Sequence, residues 1–457
     1  MTWANRIAFI LSMATVIFTT IAYGAVHQPI LAIFYVLTAA VLLLLAIDGF
    51  RSGSVRIDSA QLQLPLYAAA FYGLIQSIPF GSIAEIAGVT DIPRTISLDP
   101  YATQLSAFHF LVLGLFFSTL LMLLNSAARI RTVVIVISTF GFAFAFFAIL
   151  QSVLSPGKIY GIYEVRFAVP FGSFVNRHNF AAYMEMTIGL PLGMLFAGAV
   201  ARDKRLLYIT AIALMGVALL MSGSRGGLVA FLAQIIFLVM LTTGAKSRGR
   251  LMMKVGFSAL LIAAVVIGSI FIGGESSLTR IAETATSKDV TTDRGHIWSV
   301  TTRVIADNLP MGAGLGAFGV AYTPFDNYSG LERVEQAHND YLQVLADAGI
   351  VGALIGLFFL FLLFRSGLRA GKTANTYRRG VAIGAMAGCF AILVHSIFDF
   401  VLHTTAISLL FLTLVSLIVA CKRGYDDDLE LADPQKTRTF SSSGAINPIS
   451  NFRRAAD

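Results

Sequence analysis

Long apolar runs alternate with short polar segments along most of the chain. Each run approaches the roughly 20 residues that a helix needs to cross a bilayer. Residues 274–345 form the one long polar interruption, and about 70 residues are far more than a connection between two helices requires. The pattern predicts a folded excursion there and twelve spans, at residues 7–25, 29–47, 62–79, 105–124, 132–153, 179–200, 206–222, 226–243, 253–273, 348–364, 380–397 and 403–420.

Composition supports the same class of protein. Apolar residues make up 56% of the chain and charged residues 13%, whereas soluble domains average roughly 45–50% and 25%. We therefore expect an all-α polytopic membrane protein. Its predicted parts are nine spans within residues 1–273, the excursion at 274–345, three spans within 346–421 and a disordered cytoplasmic tail at 422–457.

The placement of basic residues predicts the orientation. Loops that stay in the cytoplasm are enriched in Lys and Arg. With the N-terminus inside, 23 of the 33 basic residues fall in inner segments, and the net charge of +8 reflects topology rather than binding to nucleic acid. The excursion then lies outside, with nine acidic and five basic residues. All seven histidines also fall on the predicted outer side.

His338, near the end of the excursion, is the first candidate for chemistry. Leu342 and Leu345 follow it by four and seven residues, so periodicity predicts that His338 opens the next helix and turns its ring toward the protein. A neutral imidazole can take a proton near pH 7, which makes His338 a candidate general base. A structural role for the ring is the alternative.

Arginines on the predicted outer face are the second group of candidates. Arg225 lies in a tight turn between two spans, and Arg294 begins an amphipathic helix with Asp293 as its expected cap. A guanidinium stays charged and binds phosphate oxygens through paired hydrogen bonds, so these residues predict an anionic substrate that carries phosphate. Arg166 and Arg177 are weaker candidates, because reaching lipid phosphates explains them equally well.

No cofactor or metal is predicted. Residues 314–319 fit G-x-G-x-x-G, but no strand or βαβ unit precedes them, so we expect a tight backbone bend and no dinucleotide site. The acidic run at residues 426–428 lies in the inner tail, away from the other candidates. The outer segments contain no closely spaced array of histidines or aspartates suited to a metal ion.

Six segments resemble, in order, the motifs of the O-antigen ligase and O-antigen polymerase superfamily of bacterial membrane glycosyltransferases. The motif around His338 is the most specific of them. The six are residues 171–183 (FGSFVNRHNFAAY), 222–227 (SGSRGG), 292–298 (TDRGHIW), 312–318 (GAGLGAF), 338–352 (HNDYLQVLADAGIVG) and 395–403 (HSIFDFVLH).

The resemblance implies a GT-C-like fold and an inverting, metal-independent glycosyltransferase of the bacterial inner membrane with a periplasmic active site, and the basic residues predict that both termini are cytoplasmic. It would move a glycan from undecaprenyl diphosphate to a lipid A core sugar. By position, His338 corresponds to the catalytic base, and Arg225 and Arg294 to the residues that hold the diphosphate. Weaker candidates for substrate contact are Arg166, Asn176, Arg177, His178, Asn179, Trp298, Asn339, Gln343, His395 and Asp399.

Two alternatives remain at this stage. A polymerase of O-antigen or exopolysaccharide would use the same donor, with a second lipid-linked glycan as acceptor. A transporter of the lipid-linked glycan would fit the number of spans, but transporters bind substrates near the midplane, often between related halves. Here Glu185 is the only clear ionisable residue deep within a predicted span, and no internal repeat is evident.

Overall fold

The computed structural model describes the chain in several stretches. These are residues 2–53, 60–86, 89–166, 168–242, 249, 251–263, 266–267, 294–327 and 333–432. The first part of the expected excursion, including the predicted cap Asp293, lies outside the described residues, as do residues 328–332 and most of the expected tail.

The described chain is mainly helical. Two short antiparallel hairpins, which the apolar pattern does not predict, interrupt the helices: β1 (Ser82–Ile86) pairs with β2 (Val89–Pro93), and β3 (Lys158–Ile159) with β4 (Tyr163–Glu164). The helices are α1 (Trp3–Ile21), α2 (Gln28–Ser52), α3 (Ala60–Gln76), α4 (Pro100–Leu123), α5 (Ala127–Leu154), α6 (Arg177–Phe196), α7 (Arg205–Met221), α8 (Arg225–Thr242), α9 (Leu251–Ala263), α10 (Arg294–Asn308), α11 (Phe318–Tyr322), α12 (Asp340–Ala370), α13 (Thr376–His395) and α14 (Thr405–Ala432).

Nine helices among the described residues are long and apolar enough to cross a membrane, which confirms the polytopic helical class. A helix also lies at each of the other three predicted spans, namely α3, α6 and α9, but these are too short or too polar to qualify. α3 has 17 residues, carries three glutamines and contains Pro65. α14 continues to Ala432, past the predicted end of the last span.

The centre of the bundle is the crossing of α6 and α13. Most residues of α6 are buried, as are 13 of the 20 residues of α13. Gly189 and Gly193 face Gly384 so closely that a Cβ on Gly193 would lie 2.2 Å from the Gly384 Cα. Small residues allow helix backbones to approach in a membrane protein, where packing replaces the hydrophobic effect as the driving force.

The described part of the excursion packs α10 and α11 against the start of α12. Val300, Val304, Phe318 and Tyr322 form a small apolar core there, which confirms the predicted amphipathic helix beginning at Arg294. Gly312, Gly314 and Gly316 all have positive φ, which confirms the tight bend predicted for the G-x-G-x-x-G segment.

α12 is broken at Gly349, where the backbone has φ 59° and ψ −150°. A Cβ at this position would lie 2.1 Å from the carbonyl oxygen of Pro310. Only glycine fits such a conformation and such a close approach. The break separates the part of α12 that packs on the excursion from the part that follows as an apolar span.

The two ends of the bundle hold different groups. At one end, Arg129 binds the Leu123 carbonyl oxygen, Arg131 lies over the Tyr377 ring, and Arg423 binds the Leu121 carbonyl oxygen. The opposite end holds the start of α6, α8, α12 and α14 and the end of α13, and we call it the site end.

Candidate active site

Residues 396–404 connect α13 to α14 at the site end, and we call this connection the site loop. The apolar pattern assigned its first and last residues to spans, but α13 ends at His395 and α14 begins at Thr405. The carbonyl oxygens of Ser396 and Ile397 accept hydrogen bonds from the Asp340 backbone N–H and the Asn339 side chain, both at 2.9 Å. Carbonyls at a helix end need such partners, so the loop is fixed against the start of α12.

Asp399 is the centre of the site. Its carboxylate binds the Arg294 guanidinium through Oδ2 at 3.0 Å and the His338 ring through Oδ1, whose distance to Nδ1 is 3.1 Å. The His178 Nδ1 lies 3.7 Å from Oδ2. Arg294 also donates to the Phe398 carbonyl oxygen. One buried carboxylate therefore joins residues from three predicted motifs.

Electrostatics keep this carboxylate ionised. Burial alone would raise the pKa of Asp399, but the hydrogen bond with His338 and the positive charge of Arg294 hold it well below its usual range. An ionised carboxylate accepts from the His338 Nδ1–H and fixes the orientation of the ring.

The prediction that His338 opens α12 is wrong in one respect. The helix begins at Asp340 with Asn339 as its N-cap, and His338 precedes it with φ 48°. The ring does face the protein, as predicted, but the site loop orients it rather than the helix periodicity. A non-glycine residue in this left-handed conformation costs about 1–2 kcal/mol and needs support from its surroundings.

Hydrogen bonds to the backbone of the preceding residue, Ala337, provide this support. The Trp298 indole donates to the Ala337 carbonyl oxygen at 3.1 Å, and the Gln343 side chain accepts from the Ala337 N–H at 2.7 Å. Trp298, Asn339 and Gln343, all predicted as substrate contacts, therefore hold the backbone on both sides of His338. The His338 side chain keeps 30% of its surface exposed.

The N-terminus of α8 brings Arg225 to the same region. The preceding Ser224 accepts from the Gly227 N–H at 3.2 Å and lies 2.9 Å from the His178 Nδ1, which in turn approaches Asp399. A Cβ at Gly226 would lie 2.9 Å from the His395 ring. The two glycines after Arg225 therefore let this helix end pack against α13.

His395 and Glu185 form a second pair beneath the site. The His395 Nδ1 lies 3.0 Å from Glu185 Oε1, and both side chains are fully buried between α13 and α6. The Ser224 hydroxyl lies 3.4 Å from the other ring nitrogen of His395. His395, predicted as a possible substrate contact, is instead enclosed by protein.

The remaining predicted contacts lie at the start of α6 and just before it. Asn176 caps α6 by accepting from the His178 N–H at 2.9 Å, and Asn179 is buried in the first turn. Arg177 donates its backbone N–H to the Val169 carbonyl oxygen. Arg166 lines a cleft beside β4 with Glu164 and Val175, which are not part of the Asp399 cluster.

Asp340 and His403 form a third carboxylate–histidine pair that the sequence analysis did not assign. The His403 Nδ1 lies 2.9 Å from Asp340 Oδ1, and Asp340 Oδ2 accepts from the Ser396 hydroxyl at 2.7 Å. Both residues belong to motifs of the resembled family, so each could have been considered as a candidate. Because 63 residues separate them, the sequence gave no reason to predict that they pair.

Three side chains are spaced as metal ligands would be. Donor atoms of His178, His395 and Asp399 all lie within 4.8 Å of one another, a juxtaposition that the sequence spacing did not predict. Asp399 already binds the Arg294 guanidinium at 3.0 Å. An added divalent cation would therefore sit beside a fixed positive charge.

These features define a multi-pass helical membrane protein with a histidine, arginine and carboxylate site at one end of its bundle. Residues 210–357 match the family described as O-antigen ligase, which confirms the resemblance to that superfamily over this region. The matched region includes Arg225, Arg294 and His338 and supports a ligase- or polymerase-type function. The comparison with curated proteins gave no match.

Proposed function

We propose that this protein is an inverting glycosyltransferase of the O-antigen ligase type with a GT-C-like fold. It moves a glycan from undecaprenyl diphosphate to a lipid A core sugar at the periplasmic face of the bacterial inner membrane. The observation that carries the proposal is the sharing of Asp399 by His338 and Arg294. This carboxylate holds a candidate base beside a candidate diphosphate-binding cation.

His338 acts as the general base in this proposal. With the Nδ1–H donated to Asp399, Nε2 carries the lone pair that takes the proton from the acceptor hydroxyl. The partial exposure of the ring lets a hydroxyl reach it. Inversion requires the acceptor oxygen to attack the anomeric carbon from the face opposite the leaving group.

Arg294 and Arg225 stabilise the departing diphosphate. The bond from the anomeric carbon to the phosphate oxygen breaks as the acceptor oxygen attacks, and the electron pair leaves with the diphosphate. Fixed guanidinium groups lower the energy of that developing charge, because they are oriented before the reaction begins. Positive charge from arginine makes a divalent ion unnecessary, which is the basis for proposing a metal-independent reaction.

The arginines at one end of the bundle support the proposed orientation. Arg129, Arg131 and Arg423 lie at the end away from the site. The positive-inside rule assigns that end to the cytoplasm, with both termini. The site end then faces the periplasm, where lipid-linked glycans and the lipid A core are both accessible.

A polymerase with the same donor is the alternative within the family, since the matched region supports both types. Both functions need the same base and the same diphosphate site, and they differ only in the acceptor. A transporter would need its binding groups near the midplane, whereas His338, Arg294 and Asp399 lie together at one end of the bundle.

Transfer by the purified protein tests the mechanism. We expect glycan transfer from undecaprenyl diphosphate in the presence of EDTA, and loss of at least about 10²-fold in His338→Ala. His296→Ala is the matched control, because His296 also pairs with a carboxylate, Asp326, at 3.3 Å. Full activity in His338→Ala contradicts the base assignment, and activity lost on chelation and restored by a divalent ion contradicts the metal-free reaction.

A strain without the gene separates the two family functions. Lipid A core without any attached glycan, together with long chains still on the carrier, indicates a ligase. Core capped by a single repeat unit indicates a polymerase. Normal lipopolysaccharide in that strain would contradict both functions.

A further inference from the structure

His403 and Asp340 resemble His338 and Asp399 in chemistry but have no role in the transfer step proposed above. The His403 ring lies 40% exposed at the site end, and its Nδ1 is held by Asp340 at 2.9 Å. Asp340 is itself buried and accepts from the Ser396 hydroxyl and the Leu402 N–H. A buried carboxylate thus fixes an exposed imidazole, as a binding site requires.

A series of contacts links Arg294 to His403. Arg294 binds Asp399, and Asp399 binds His338. The Phe400 ring comes next, with its centroid 4.8 Å from that of His338 and 6.5 Å from that of His403. In this series of contacts, His338 and the half-buried Phe400 come between Arg294 and His403.

The proposed reaction predicts which groups in this series of contacts face the donor and which face the acceptor. In an inverting transfer the acceptor approaches the anomeric carbon from the side opposite the diphosphate. If Arg294 marks the diphosphate side and His338 receives the acceptor proton, the next groups along the series face the acceptor. His403 is an exposed polar side chain in that series.

The charge of His403 indicates what it would bind. Partial burial alone would lower the pKa of its ring, but the hydrogen bond and charge of Asp340, with a further contribution from Asp347, raise it above its usual value. A ring that carries both protons donates from Nδ1 to Asp340 and keeps Nε2–H as a donor. Such a donor binds an anionic oxygen more strongly than a neutral one.

We propose that His403, positioned by Asp340, forms an acceptor subsite that binds an anionic group, phosphate or carboxylate, on the acceptor glycan. The proposal rests on the proposed function, because the acceptor side is defined by the transfer reaction. A phosphate of a lipid headgroup has the same chemistry, so the test must separate the two sources.

Equilibrium binding tests the subsite without requiring turnover. The full-length protein in nanodiscs of zwitterionic lipid is titrated with a soluble core oligosaccharide that carries phosphate, and with the same oligosaccharide after dephosphorylation. We expect His403→Gln to weaken binding of the phosphorylated oligosaccharide about tenfold, which corresponds to the loss of one charge-assisted hydrogen bond. Binding of the dephosphorylated oligosaccharide should change less than twofold. His403→Lys, which keeps a positive charge, should recover part of the affinity, and His296→Gln should resemble wild type.

Equal losses for both oligosaccharides, or no loss for either, overturn the proposal. A second titration in nanodiscs of anionic lipid separates the sources: if anionic lipid weakens wild-type binding as much as His403→Gln does, a headgroup occupies the subsite and the acceptor assignment is wrong. Transfer assays on the same samples distinguish failure of the proposed function from failure of the acceptor subsite. Wild-type protein that binds the oligosaccharide through His403 but transfers no glycan contradicts the proposed function alone, whereas normal transfer and binding by His403→Gln contradicts only the subsite.

Discussion

Two histidine–carboxylate pairs with nearly the same geometry lie within the same cluster but in different surroundings. His338 and Asp399 are 3.1 Å apart in the site loop region, and the His338 side chain is 30% exposed. His395 and Glu185 are 3.0 Å apart between two central helices, and neither is exposed. Chemistry and distance alone therefore do not identify a catalytic histidine. The two pairs differ in access to substrate. We call His338 and Asp399 the open pair, and His395 and Glu185 the closed pair.

The largest expected effect comes from removing the charge of the open pair. Asp399→Asn keeps the shape of the side chain but removes the charge that holds both His338 and Arg294. We expect kcat/KM for glycan transfer to fall about 10³-fold, within the range for loss of oriented general-base catalysis. The thermal unfolding temperature should also fall, because the mostly buried Arg294 guanidinium loses its charged partner, so kcat/KM is measured per folded protein. The control is Asp326→Asn, which takes the carboxylate from His296 and should leave transfer unchanged.

A loss of less than tenfold in Asp399→Asn would mean that His338 and Arg294 hold their positions without this carboxylate. The open pair would then be no more functional than the closed one.

The next effect concerns stability and belongs to the closed pair. Glu185→Ala leaves His395 buried without its carboxylate partner, and breaking a buried pair in this way costs about 3 kcal/mol. We expect a clearly lower unfolding temperature of the purified protein in detergent. Transfer by the remaining folded protein should fall far less than in Asp399→Asn. Glu164→Ala, at an exposed carboxylate of β4, is the control.

An unchanged unfolding temperature in Glu185→Ala would contradict a structural role. Loss of transfer as large as that in Asp399→Asn, with stability retained, would place the closed pair in the reaction itself.

The smallest effect tests how the two pairs are packed together. In Gly226→Ala the new methyl group would lie 2.9 Å from the His395 ring and 3.1 Å from the Phe398 Cβ. Overpacking of this kind costs about 1–2 kcal/mol. Gly256→Ala is the matched control, since a Cβ there meets nothing within 4 Å and alanine favours the helix by about 1 kcal/mol. Equal stability of the two variants, measured by thermal unfolding, would contradict the close approach of α8 to α13.

Hydropathy predicted the class of fold well because a membrane imposes length and composition on each helix. It failed at the ends of the helices, where function lies. Residues 396–404 are largely apolar, and the pattern assigned part of them to two spans. Their carbonyl groups instead accept hydrogen bonds from Asn339, Asp340 and Arg294, which are distant in sequence.

For the candidate site too, the sequence predicted some features and the structure supplied others. Arg225, Arg294 and His338 were predicted from residue type, side of the membrane and the family resemblance. Asp399 was one weak candidate among ten, and the structure makes it the residue that joins Arg294 to His338. Trp298 and Gln343 were predicted as substrate contacts, and in the structure both form hydrogen bonds with the Ala337 backbone.

By itself, the sequence determined that this chain crosses a membrane many times, which end carries the basic residues and which side chains can do chemistry. Those properties are local, since they depend on the solvent around each segment and on residue type. The tertiary structure alone decided which histidine is open, which is enclosed, and which carboxylate each one binds. A hydrogen bond joins atoms about 3 Å apart in space, and that proximity is created only when helices far apart in the chain pack together.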